Sequence, residues 1–187
     1  MQSSFAVEIN EQFTRFASLS YQKGVIELLS LGYDQTAPNF YSNPTDRTSA
    51  DQAKILSNLY SQLGLQDKRA HVILPDAKTY SQLLVMPDLK EEELVNAIHL
   101  QADEFVPLPI EEVYIDLDII SKLPDNKLLI LFVAAPKKVV DHLSNTITLA
   151  GLEPYTLENE LSAMGRFVAE VYPFAKEPTL IINFGFG

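Results

Sequence analysis

The longest uninterrupted apolar run in the chain extends from Leu128 to Pro136. It is far too short to cross a bilayer, which takes about 20 residues as a helix. A turn of Pro124, Asp125 and Asn126 precedes it and Lys137-Lys138 follows, so it has the borders of a strand. Being apolar throughout, it is expected to lie centrally in its sheet. Strands and helices flank it in sequence. Val113, Ile115, Leu117 and Ile119 alternate with Tyr114, Asp116 and Asp118, the pattern of a strand with one wet face. Ser81 to Met86 reads as another strand, ended by Pro87. Leu94, Ile98, Ala102 and Phe105 then form one helical stripe, with Asp88 as cap and Glu91 as capping-box acceptor. Val139, Leu143, Ile147 and Ala150 make a second stripe, closed by Gly151.

The flanking regions show the same two periods. Strands are expected at Phe5 to Ile9, Phe13 to Leu19 and Val25 to Tyr33, then a polar loop from Asp34 to Thr48. A helix runs from Ser49 to Gly64, and His71 to Leu74 forms a short strand. After the middle block come a short extended piece from Pro154 to Leu157, a helix from Leu161 to Val171 and a last strand from Leu180 to Phe184. This order describes an α/β chain in which a compact block, about Tyr80 to Leu157, is inserted between a first lobe and its closing elements.

The composition excludes several classes of function. A formal net charge of −11, from 25 acidic and 14 basic residues, repels phosphate backbones and anionic lipid, so neither nucleic acid nor a bare membrane surface is expected as partner. No cysteine is present, which removes disulfides and thiolate chemistry and fits a reducing compartment. The N-terminus lacks the basic and apolar regions of a signal peptide. The chain is expected to be cytoplasmic, with any membrane link borrowed from a partner.

No catalytic motif stands out, and no catalytic residue is expected. His71, His99 and His142 are scattered, with no zinc-ligand spacing, so no metal site is expected. Asp116 and Asp118 share a strand face as a carboxylate pair could, but the alternation around them already explains them as solvent-facing. Pro136-Lys137-Lys138 reads as soluble surface at a helix start. Two strand–turn elements are harder to set aside: Val7-Glu8-Ile9-Asn10-Glu11-Gln12 and Ile182-Asn183-Phe184-Gly185-Phe186-Gly187. Such turns cradle phosphates where glycine lets backbone N–H groups approach.

A longer pattern carries more information. Val85-Met86-Pro87-Asp88-Leu89-Lys90-Glu91-Glu92-Glu93-Leu94 leads to Gln101-Ala102-Asp103-Glu104-Phe105-Val106-Pro107-Leu108-Pro109-Ile110-Glu111-Glu112-Val113. Leu131-Phe132-Val133-Ala134-Ala135-Pro136-Lys137-Lys138, Ala150-Gly151-Leu152-Glu153-Pro154 and Glu158-Asn159-Glu160-Leu161-Ser162-Ala163 follow in order. Together they resemble the type IV pilus assembly PilM family, in colinear order through the chain.

The resemblance implies an actin-like fold related to the division protein FtsA. Residues 1–79 plus 156–187 would form a ribonuclease-H-like subdomain, residues 80–155 a small α/β insert, and the second actin lobe would be absent from this chain. It implies a bacterial cytoplasmic scaffold, peripheral to the inner membrane, that docks on the tail of a PilN-like protein and connects to pilus motor ATPases. The tail would lie where insert and lobe join, against Phe105, Val106, Pro107, Leu108 and Ile110. Phosphate-loop positions fall at Glu8, Asn10 and Arg15 and, for the second loop, at Asn183 and Gly185. Asn10 stands where the family has glycine and Glu11 adds negative charge, so no cofactor is expected in this chain. The resemblance leaves room for ATP and magnesium in a full-length protein. Two other functions compete: the first half of an actin-like ATP switch, and the cytoplasmic part of a GspL-like type II secretion protein.

Overall fold

In a computed structural model, residues 3–101, 104, 106–171 and 180–182 are described. By its contacts the chain divides into two units, one of residues 1–76 with 142–187 and one of residues 77–141.

The first unit is built on a five-stranded sheet. Strands β1 (Ser3–Ile9), β2 (Phe13–Gln22) and β3 (Val25–Gln35) form an antiparallel meander. Its second turn holds Lys23 at φ 51° and Gly24 at φ 79°, the left-handed pair that a two-residue hairpin requires. Strand β4 (Arg69–Leu74) then pairs parallel with β1, and β8 (Glu153–Asn159) pairs parallel with β4, giving the order β3-β2-β1-β4-β8.

Phe5, Val7, Ile9, Phe16, Ala70, Val72 and Leu74 point to one face and are buried. Phe5 and Phe16, from neighbouring strands, stack with centroids 5.7 Å apart. Helix α1 (Asp46–Gln62) buries Ser49, Gln52, Ala53, Leu56 and Leu59. It starts one turn earlier than its apolar stripe indicates, because Thr45 and Thr48 form a reciprocal capping box and the first turn is polar. It ends at Gly64, φ 64°, whose N–H bonds Ser61 O while Leu65 N–H reaches Tyr60 O.

The second unit is a three-stranded antiparallel sheet, order β5-β7-β6: β5 (Tyr80–Pro87), β6 (Val113–Leu123) and β7 (Lys127–Pro136). The apolar run is thus the central strand. Helix α2 (Glu91–Gln101) covers one face, where Leu84, Met86, Leu94, Ile98, Val106, Val113, Leu128, Ile130, Phe132 and Ala134 make the core. Its cap differs from the expected one. Glu93 Oε2 accepts from the Lys90 N–H at 3.1 Å, while Asp88 is drawn off to Lys122 Nζ at 3.1 Å.

Helix α3 (Lys137–Leu149) follows β7 directly, and α4 (Glu160–Val171) follows β8. The sequence assigns residues 80–155 to the insert, but β8 pairs with β4 and Leu143, Thr146 and Ile147 are buried in the first unit, so the division falls at residue 141. The expected strand at Leu180 to Phe184 does not form at residues 180–182, and residues 183–184 lie outside the described set.

Candidate functional site

The β1–β2 hairpin stands where a phosphate loop is expected. Its turn closes through the Asn10 N–H to Phe13 O at 3.0 Å. The Asn10 side chain is buried and hydrogen-bonded through both its oxygen and its nitrogen. Its Oδ1 accepts from the Gln12 N–H at 2.9 Å and the Phe13 N–H at 2.7 Å, and its Nδ2 donates to Glu8 Oε1 at 3.0 Å. The backbone donors that a glycine turn would offer to a phosphate are therefore held by a side-chain carbonyl. Glu8 and Arg15, cross-strand partners on the other face, form an ion pair of 2.6 Å.

Behind the turn, Tyr41 Oη donates to Ile9 O at 2.6 Å. Burial pushes its phenol far up, with the carboxylates of Glu11 and Glu8 adding to the shift, so it stays a neutral donor. The structure thus brings Glu8, Asn10 and Arg15 into one network. Asn183 and Gly185 lie outside the described residues. The sequence does not reveal Tyr41, because its 32-residue separation from Ile9 carries no local signal.

Of the expected partner-binding stretch, Phe105 lies outside the described residues. Val106 is 3% exposed and belongs to the core of the second unit, so its side chain is not offered to a partner. Leu108 and Ile110 are half-buried against the same core, and Pro107 is exposed. A short helical turn from Ile110 to Glu112 then leads into β6.

Two of the histidines, His142 and His71, are held in structural contacts, and His99 is exposed. His142 Nδ1 lies 3.1 Å from Ser49 Oγ and its ring packs on Phe40, while His71 Nδ1 lies 2.9 Å from Thr156 Oγ1. Among the described residues no group of three His, Asp or Glu side chains is placed to hold a metal. A small cleft lined by Thr79, Tyr80, Ser81, Gln82 and Phe132 opens at the start of β5.

Two solved structures resemble this arrangement. One is a PilM–PilN type IV pilus biogenesis complex, with a TM-score of 0.76 and 19% identity, covering 89% of this chain and 51% of that one. The other is the cytoplasmic domain of EpsL, an inner membrane component of the Vibrio cholerae type II secretion system, with a TM-score of 0.57 and 12% identity, covering 83% of this chain and 56% of that one. The chain spans about half the length of these matched chains. The fold is actin-like, of the form that the PilM structure has. Residues 7–177 match the family model of the type IV pilus assembly protein PilM, and the chain belongs to that family.

Proposed function

We propose that the chain is a scaffold of type IV pilus assembly that docks on the cytoplasmic tail of a PilN-like inner-membrane protein. Membership of the PilM family over residues 7–177 carries this reading. Its net charge of −11 supports it, since cytoplasmic segments beside a membrane span are rich in lysine and arginine, and opposite charge speeds encounter. No described helix is long and apolar enough to cross a membrane, so the reading places the chain at the membrane through its partner. Contact with pilus motor ATPases belongs to the same proposal. The EpsL likeness keeps a type II secretion role as the alternative.

The test is a calorimetric titration of residues 1–187 with the N-terminal tail peptide of the cognate PilN-like protein. Saturable binding that weakens with salt is expected. No binding at high micromolar peptide overturns the reading.

We further propose that the β1–β2 hairpin does not take the phosphates of ATP–magnesium. Asn10 Oδ1 already occupies two turn N–H groups, and Glu11 would repel an anion. Micromolar ATP binding to residues 1–187 overturns this.

A further inference from the structure

Strand β7 is apolar on both faces, but α2 covers one. On the core face Leu128, Ile130, Phe132 and Ala134 are fully buried. On the other, Leu129, Leu131, Val133 and Ala135 keep part of their surface. The sheet is antiparallel, a type that commonly leaves one face to water and then alternates apolar with polar residues. Strand β7 does not alternate, so its open face is more apolar than a solvated face requires.

The register draws that surface row by row. Val85, Leu129 and Ser121 lie abreast; next come Leu83, Leu131 and Asp118; next Ser81, Val133 and Asp116; then Ala135 and Tyr114. Leu83 and Val85 are 59% and 56% exposed. The β5 and β7 side is apolar, and the β6 side carries two carboxylates in successive rows. Asp116 Oδ1 accepts from the Leu117 N–H at 2.9 Å, and neither carboxylate is in an ion pair among the described residues. Lys127, opposite Pro87, ends the face at the turn.

From this geometry we infer that the open face of the β5-β7-β6 sheet is a docking surface for an amphipathic helix of a protein partner, with basic residues four apart along one edge of its apolar stripe. Sheet faces are covered by helices or by other sheets, and a helix is what already covers the opposite face. Residues four apart on a helix edge rise about 6 Å. Alternate residues on an antiparallel strand are about 6.8 Å apart. A helix running along β7 thus sets two Lys or Arg heads over Asp116 and Asp118 while its apolar stripe covers Leu83, Val85, Leu129 and Leu131. The lysine and arginine stems add apolar cover of their own. This inference is independent of tail docking and concerns a separate partner.

The test is a charge swap read by two-dimensional NMR on the labelled 187-residue chain. The probe is an 18-residue Leu/Ala helical peptide with lysines four apart beside its apolar stripe, compared with the same peptide carrying glutamates there. The wild-type chain should bind the lysine peptide at least tenfold more tightly, with amide shifts on β5, β6 and β7. The variant Asp116→Lys/Asp118→Lys, whose exposed sites leave the fold intact by its own spectrum, should reverse that preference. Leu83→Ser/Val85→Ser should weaken both pairings, and the control Glu92→Gln/Glu153→Gln should leave them within twofold. A preference that does not reverse, equal loss in the control, or shifts that fall elsewhere overturns the inference.

Discussion

Two buried amides show how polar residues shape this protein. Asn10 is visible in the sequence only as a missing glycine. Its use is not, because capture of the Gln12 and Phe13 N–H groups depends on the register of a hairpin that forms around it. Asn10→Ala strands those donors and should cost about 2 kcal/mol. Urea unfolding measures it, and a change under 0.5 kcal/mol would mean that water replaces the side chain. Gln52 is equally hidden, since it sits on a helix whose apolar period runs through Ala53, Leu56, Leu59 or Tyr60, and Leu63, and leaves it out. It is fully buried, accepting from the Ala37 N–H at 2.8 Å and donating to Thr14 Oγ1 at 2.7 Å, and Thr14 lies 3.1 Å from Thr36 Oγ1. Gln52→Leu leaves a buried N–H without an acceptor and should cost on the order of 3 kcal/mol. At the surface, hydrogen bonds from Arg69 hold the Asp67 carboxyl at about 2. Its folded value lies below its unfolded one, so its contribution to stability is present above pH ~4 and lost as pH falls through about 2. A carbon-detected titration should find this low value in the native chain and its return toward the ordinary range in Arg69→Gln.

At the scale of elements, the strands and helices with a strong apolar period were legible, and their ends were less so. The Leu128–Pro136 run became β7, and the alternation from Val113 became β6 with its wet face as drawn. The polar first turn of α1 was missed because it buries nothing beyond Ser49; only its capping box marks it. Thr45→Ala removes that box and should cost about 1 kcal/mol, read as a lower melting temperature. Gly64 tests the other end. Nothing lies within 4 Å of where its Cβ would be, so Gly64→Ala should cost about 1 kcal/mol through its positive φ alone. A much larger loss would point to a clash that the geometry does not contain. The site was less legible than the fold. Val106 carries an apolar side chain in a proline-rich loop, which suits a partner surface and a core equally, and only its burial decides.

For the molecule as a whole, the first unit carries its own unmet demand. Tyr21, Ile26, Leu28, Leu31 and Tyr33 stand exposed on one face of β2 and β3, and β3 is the edge of its sheet. Long apolar edges associate unless charge blocks them. Leu28→Lys/Leu31→Lys should lower concentration-dependent association in sedimentation runs while changing stability by under ~0.5 kcal/mol. Unchanged association would show that this edge is not the sticky surface. The pairing of β4 with β8 has a consequence for synthesis. A ribosome delivers all of residues 77–141 before it delivers residues 153–159, the strand that completes the larger sheet. At about 5–20 residues per second the nascent chain spends roughly one to four seconds with its second unit finished and β4 bare on one side. During that interval the larger sheet lacks only its last strand, and a chaperone that shields β4 would be acting on a strand whose partner has not yet been made.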